Sequence, residues 1–299
     1  MRYTLRQLEV FLATARHESV SQAAVELALS QSAVSGALRD LEKQFDVVLF
    51  DRVGKRLYLS EFGRELRAPA EDVLARAREL EQSLGGSSVR GRLRVGATLT
   101  IGNYLAVPMI AAFRERYPEA DVQLEVANTA SIAARVADYT LDMGLVEGEF
   151  NHPDLSLQPW RGDELCVFAA PGHPVLARGD LDDAGLVAQD WILREPGSGT
   201  RQAFDRAMHG ILASMNVVLE LQHTEAIKRA VEAGLGLGCL SRISLEDAFR
   251  RGSLVPVAVP GRDLRRGLGI LLHRQKYQGP ALRAWLALCR ERGEAGADA

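Results

Sequence analysis

The chain has 299 residues, 47% of them hydrophobic and 25% charged, with a formal net charge of −3, which gives a globular protein of two or three domains. No apolar run reaches the length of a membrane span, and residues 1–4 lead into an amphipathic helix rather than a signal peptide, so no membrane partner and a cytoplasmic location are expected. Cys166, Cys239 and Cys289 are too scattered for a disulfide framework or a cysteine metal site, and read as buried, reduced thiols.

In chain order, residues 5–15 form a first helix with Leu5, Leu8, Phe11, Leu12 and Ala15 on one face. A short second helix opens in Ser19-Val20-Ser21-Gln22-Ala23-Ala24, with Ser21 placed to cap it, and ends near residues 27–29. Ser30 then caps a third helix over 31–45. Val34, Leu38, Leu41 and Phe45 recur there at steps of four, three and four, and so define its buried face. Gln31, Ser32, Ser35 and Arg39 fall on the other, early face. Such side chains bond base edges and phosphates when a helix enters the major groove by its N-terminal end. The periodicity alone fits a small helical hairpin with a polar surface equally well. Arg52, Lys55 and Arg56 cluster around Gly54 between two extended runs, which reads as a β-hairpin wing carrying cations for a phosphate backbone, or as a solvated turn. Charge does not decide, because the first 60 residues carry eight Lys and Arg against seven acids.

The flanks decide more. Leu5-Arg6-Gln7-Leu8-Glu9-Val10-Phe11, the run from Ser19 to Ala24, Ser30-Gln31-Ser32-Ala33-Val34-Ser35, Leu41-Glu42, Leu49-Phe50-Asp51-Arg52 and Leu59-Ser60 with Gly63 form a long ordered pattern. In it the sequence resembles the LysR-type transcriptional regulators. The resemblance implies an N-terminal winged helix-turn-helix domain of the all-α class over residues 1–60, with double-stranded DNA as its partner. One departure stands out: many family members carry a basic residue where this chain has Gly36, which removes one contact and lowers helix propensity.

Residues 60–84 read as one long helix with Phe62, Leu66, Pro69, Val73, Ala77, Leu80 and Leu84 in a narrow apolar seam. Such a seam predicts homodimerisation, with a local bend at Pro69; the competing expectation is packing against the chain's own C-terminal half. The resemblance implies that this linker helix pairs with its dimer mate and that effector domains add contacts for a homotetramer. Gly85-Gly86-Ser87-Ser88 has the composition of a hinge, so linker and hinge together occupy 61–90.

Beyond it strands and helices alternate, as in a mostly parallel sheet covered on both faces. Strands are predicted at 92–97, 122–126, 142–146, 164–170, 191–194, 217–222, 237–240 and 268–273, and helices at 103–117, 131–139, 200–208, 224–233 and 281–292. The grouping gives two α/β lobes, 91–161 with 267–299 and 162–266, crossed near 158–163 and 262–266. The resemblance implies the same: a two-lobed effector domain like a periplasmic binding protein, with a cleft between the lobes.

Ligands of open α/β sheets bind at the C-terminal ends of strands, beside helix N-termini. Three stretches fit: one with Thr98 and Thr100, one with Ser198, Thr200 and Arg201, and one beginning at His223. Hydroxyls and bare N–H groups from two lobes suit a small anion or carboxylate, although Ser and Thr at such places also serve as ordinary helix caps. Glu147 ends a strand. Facing the cleft, it argues against a lone dianion unless Arg201 or another cation offsets it, and favours a ligand carrying a donor. The runs 194–201 and 225–234 are similar to members of the family that govern carbon-fixation and sulfur-assimilation genes, which implies sulfite, sulfate or a small phosphorylated metabolite as effector. No cofactor is expected. Gly234-Leu235-Gly236-Leu237-Gly238 follows a helix and precedes a strand, the reverse of a dinucleotide loop, and no Walker loop, nucleophile elbow or histidine metal spacing occurs. A solute-binding protein whose N-terminal domain holds a protein partner remains the rival to a ligand-responsive transcription factor.

Overall fold

The computed structural model describes residues 2–53, 56–84, 89, 91–148 and 150–294. Helix α1 (Leu5–His17) starts at a capping box in which the Gln7 N–H donates to Thr4 Oγ and the Thr4 N–H donates to Gln7 Oε1. Its Leu8, Phe11, Leu12 and Ala15 pack on α2 (Val20–Glu26) and α3 (Gln31–Phe45). The cap of α2 is Ser19 rather than Ser21, because Val20 is already the first helical residue and packs onto the core. Ala28 takes a left-handed φ of 52° in the turn, and Ser30 Oγ then accepts the Ala33 N–H at 3.1 Å to start α3. Val34, Leu38 and Leu41 are buried, as their spacing requires. Phe45 departs from the pattern: it is 42% exposed, on the rim against Tyr3.

Strands β1 (Phe50–Val53) and β2 (Arg56–Leu59) form the antiparallel wing. Glu42 Oε1 accepts the Leu49 N–H at 2.8 Å, which ties the wing to α3. Ser60 Oγ accepts the Gly63 N–H at 2.9 Å and donates to the Val48 carbonyl at 2.6 Å. A Cβ on Gly63 would fall 2.3 Å from the Leu49 carbonyl oxygen, so no other residue fits there.

Helix α4 (Glu61–Leu84) runs through Pro69 without interruption. Ala68, Ala70 and Leu74 are buried, and Leu74 belongs to the winged-helix core. Charged side chains of α4 meet the chain's own second half: Arg67 donates to the Asp138 carbonyl and lies over the Tyr139 ring, and Arg76 lies over Tyr277. The apolar seam is not used in that contact, since Phe62, Val73, Leu80 and Leu84 stay 45%, 36%, 61% and 81% exposed. The hinge at 85–88 lies outside the described residues.

The second half contains β3 (Gly91–Ala97), α5 (Leu99–Ile101), a π-helical turn (Gly102–Ala106), α6 (Val107–Arg116), β4 (Ala120–Val126), α7 (Thr129–Ala137) and β5 (Met143–Glu147). Then come β6 (Leu155–Ala169), α8 (Asp183–Val187), β7 (Asp190–Arg194), α9 (Gly199–Ala207), β8 (Asn216–Leu221) and α10 (Thr224–Glu232). Strand β9 (Leu237–Ser241), α11 (Arg242–Arg251), β10 (Val255–Val257), β11 (Arg265–His273) and α12 (Pro280–Glu294) complete it. The sheet order is β4-β3-β5-β11-β6-β9-β7-β8, with β10 paired to β6. β3 pairs in parallel with β4 and β5, and β7 with β8 and β9, while the long antiparallel pair β6–β11 runs between these two sets. This is the two-lobed α/β architecture. One core centres on Leu93, Phe113 and Trp285, the other on Leu193, Trp191 and Phe204.

Strand β6 begins at Leu155, well before the predicted 164. Pro159 and Gly162 hid it, and the register against β11 shifts at Leu268/Gly269, opposite Arg161 and Pro159, where an irregular ladder tolerates a residue without an N–H. The helix predicted at 103–117 starts earlier, at Leu99, and passes Pro108 by way of the π-helical turn. Among the described residues no helix is long and apolar enough to cross a membrane. All three cysteines are free and buried; burial pushes the Cys166 thiol up to about 11 and the Cys289 thiol up to about 12, so both stay protonated and unreactive.

Candidate DNA-binding face and effector cleft

On α3 the buried stripe leaves Gln31, Ser32 and Arg39 exposed and Ser35 half-buried on the outer side. Ser32 Oγ lies 2.9 Å from the Ser30 hydroxyl, so its position is set by the cap. A Cβ on Gly36 would meet nothing within 4 Å; packing does not demand glycine there, and the helix surface is bare where Gly36 sits. Arg52 is exposed on β1. Lys55 lies outside the described residues, and of Arg56 only the backbone, opening β2, is described.

The second site lies where the lobes meet. Thr98 and Thr100 follow β3, Glu147 ends β5, Ser198 and Thr200 follow β7, and Thr224 follows β8. Asn128 and Asp182 show what an ordinary cap does here: their Oδ1 atoms accept the Ser131 and Gly185 N–H groups at 2.9 and 2.8 Å. Thr98 and Ser198 hold the same N-cap positions but make no capping bond. With Thr224 they are 2–3% exposed, and none of the three hydroxyls has a hydrogen-bond partner. Buried hydroxyls left unpaired are costly, by about 1–3 kcal/mol each.

Glu147 is 1% exposed. Its Oε2 accepts from Thr200 Oγ and from Arg266 Nη1, both at 3.0 Å, and Arg266 Nε donates to Asp163 Oδ2 at 2.7 Å. Asp163 Oδ1 also accepts from Ser241 Oγ at 2.8 Å. Burial alone would raise the Glu147 pKa, but Arg266, the Thr100 and Thr200 hydroxyls and Arg194 together hold it below the usual carboxylate value. Burial disfavours the Arg266 charge, and Glu147 and Asp163 more than restore it. Contacts between the lobes close around this group. The Ala130 N–H donates to the Gly197 carbonyl at 3.2 Å, Asn128 Nδ2 to Glu195 Oε1 at 3.2 Å, and the Tyr104 hydroxyl to Glu225 Oε1 at 3.3 Å. A Cβ on Gly199 would fall 2.3 Å from the Glu147 carbonyl oxygen, so glycine permits the approach.

The structure therefore brings Thr100, Glu147 and Thr200 into one cluster, with Thr98 and Ser198 on the loops that border it. Arg201 does not join them; its guanidinium bonds Asp205, Glu220 and the Arg194 carbonyl. The cation beside Glu147 is Arg266. His223 stands exposed ahead of α10, and the adjacent buried group is Thr224. Sequence reading missed Arg266 and Asp163. A signal for Arg266 was present: it alternates with Leu268, Ile270 and Leu272, all buried on the same face of β11, which is no place for a solvated arginine.

Residues 5–64 match the model of the bacterial regulatory helix-turn-helix proteins of the lysR family, and residues 86–294 match the LysR substrate binding domain. The chain belongs to the LysR family of DNA-binding transcriptional regulators with an effector-binding domain. It is 46% identical over 289 residues to the HTH-type transcriptional regulator YeiE of Escherichia coli (strain K12), covering 97% of this chain and 98% of that one. It is 34% identical over 288 residues to the RuBisCO operon transcriptional regulator of Allochromatium vinosum, 95% of each chain. The regulatory domain of Synechocystis PCC6803 CcmR, solved in complex with 2-PG, superposes with a TM-score of 0.64 at 27% identity, over 69% of this chain and 98% of that domain.

Proposed function

We propose that this regulator works in the cytoplasm as a homodimer, and as a homotetramer through its effector domains, with a small anion held between the two lobes as the signal. The observation that carries the effector site is the set of partnerless, buried hydroxyls of Thr98, Ser198 and Thr224 at three strand ends beside the Arg266–Glu147 pair. Groups with that much unmet hydrogen-bonding capacity in a closed seam suit an oxyanion or carboxylate. That the CcmR regulatory domain was solved in complex with 2-PG supports a small-molecule effector for this domain as well. Sulfite, sulfate and small phosphorylated metabolites are the candidates. Dimerisation rests on the exposed seam of Phe62, Val73, Leu80 and Leu84, which the chain's own second half leaves uncovered. Gln31, Ser32, Ser35 and Arg39 with the wing residues Arg52, Lys55 and Arg56 act on DNA, and lobe closure changes the angle between paired DNA-binding domains.

The test is fluorescence anisotropy on DNA upstream of the protein's own gene against scrambled DNA, over a salt series. A preference of about a thousandfold, retained at physiological salt and abolished by Gln31→Ala with Arg52→Ala, is expected. Weak binding to both DNAs that vanishes with salt, unchanged in the double variant, would remove α3 and the wing as the reading surface.

A further inference from the structure

With the cleft read as the effector site, its charge balance and hydrogen-bonding capacity narrow the chemistry of its ligand. Glu147 Oε2 already receives two donors, whereas Glu147 Oε1 is buried and has no hydrogen-bond partner, with the Thr100 hydroxyl beside the carboxylate. An ionised carboxylate can only accept. The neighbouring cations are each ion-paired: Arg266 is shared between Glu147 and Asp163, although its buried Nη2 makes no hydrogen bond, Arg194 pairs with Glu195 at 2.8 Å, and Lys228 pairs with Glu225. The hydroxyls of Thr98, Ser198 and Thr224 and the α9 and α10 N-termini offer donors to an anion, but Glu147 Oε1 would meet any bare oxygen of that anion as a second acceptor. In a buried site two acceptors without a proton between them repel, and an added double charge meets an Arg266 whose single positive charge Glu147 and Asp163 already balance, even though its Nη2 can still donate.

We infer that the cleft takes a singly charged anion that carries its own hydrogen-bond donor, a hydrogen oxyanion, with Glu147 as the acceptor that selects it over donor-free dianions such as sulfate. The ligand's O–H bonds to Glu147 Oε1, and its remaining oxygens accept from the cleft hydroxyls. The charged groups that act on Glu147 are Arg266 on β11, with its partner Asp163 on β6, and Arg194 at the end of β7, with its partner Glu195; α10 brings Glu225 and Lys228, with His223 ahead of it, to the seam between the lobes through Tyr104.

Calorimetric titration of the full chain with sulfate, inorganic phosphate and sulfite tests this directly. In mildly acid solution, where the probes are compared, phosphate is mainly a singly charged ion that carries two protons, whereas sulfate is a dianion that carries none, although the two have the same tetrahedral shape. Phosphate or sulfite is expected to bind at least about tenfold tighter than sulfate. Raising the pH from about 6 to about 8 should weaken sulfite as it loses its proton, while a parallel sulfate series corrects for protein groups that titrate over the same range. Glu147→Gln, which offers an amide donor instead, should erase or reverse the preference. Equal or tighter sulfate binding by the wild-type chain overturns the inference, as does a preference that survives in folded Glu147→Gln. Should that variant fail to fold, a sulfite affinity that does not change with pH overturns it. Binding that persists in both Thr98→Ala and Ser198→Ala removes the cleft itself as the site, and absence of binding by all three probes removes the anion reading along with the donor requirement.

Discussion

On α3, Gln31, Ser32 and Arg39 stand in solvent with a core of Val34, Leu38 and Leu41 behind them, whereas in the cleft Thr98, Ser198, Thr224, Glu147 and Arg266 are buried. The first surface costs the free protein little, since each of its exposed polar groups is hydrated until DNA replaces the water. The second keeps polar groups away from water with incomplete partners, so its stability depends on the ion pairs it already has and on what a ligand adds. Mutations should therefore separate the two regions: on α3 they change binding without changing the fold, and in the cleft they change both.

The largest effect expected is that of Arg266→Met, which leaves Glu147 and Asp163 buried without their cation. Breaking a buried pair in this way costs about 3–5 kcal/mol, and urea unfolding should show it as a lower midpoint. A variant as stable as the parent would mean that the two carboxylates find other partners. Next is the seam of α4. Leu80→Asp together with Leu84→Asp should shift the protein toward monomer in analytical ultracentrifugation while leaving the monomer's fold intact, because both residues are exposed in the single chain; an unchanged dimer would place the interface elsewhere.

A smaller effect concerns pH. His273 has its pKa lowered, chiefly by burial, and its Nδ1 accepts from the Tyr139 hydroxyl at 2.9 Å and the Gln275 N–H at 3.1 Å, which requires the neutral ring. The unfolded chain therefore binds this proton more readily than the folded one. His273 contributes its stability above its unfolded pKa of about 6.5 and loses it as pH falls toward the folded value. Thermal melts should show a decline beginning near there, absent in His273→Asn; a decline equally present in that variant would assign it to other groups.

How far each region was legible follows from the same contrast. Local rules wrote the winged helix: the spacing of Val34, Leu38 and Leu41, the cap at Ser30 and the Ser60–Gly63 pair are all contacts within a few residues or a single hairpin. Ser19 and Ser21 serve equally well as α2 caps in the sequence, because a two-residue shift between serines leaves the pattern of small residues unchanged; the packing of Val20 against the core selects Ser19. In the effector domain the strands rich in Val, Ile and Leu were readable, and β6 was not, because Pro159 and Gly162 interrupt a strand whose order comes from pairing with β11, more than a hundred residues away in the chain. The cleft hydroxyls were legible from their place between strand and helix. For the cation beside Glu147 the sequence offers Arg201, within the same motif as Thr200, or another cation; it is Arg266, which reaches it from a distant strand.

Sensing belongs to the cleft and DNA reading to α3, and operator affinity measured by anisotropy, with and without sulfite or hydrogen phosphate, in the parent and in Ser198→Ala separates the two. The Ser198 hydroxyl makes no hydrogen bond within the chain, so its loss should leave DNA affinity unchanged in the anion's absence. Loss of one buried hydroxyl contact should weaken the anion by about 1–3 kcal/mol, so the response is expected to be lost or shifted to about ten- to hundredfold higher anion concentration. DNA affinity and response falling together, or a response that persists unshifted in Ser198→Ala, would show that the two functions are not divided in this way.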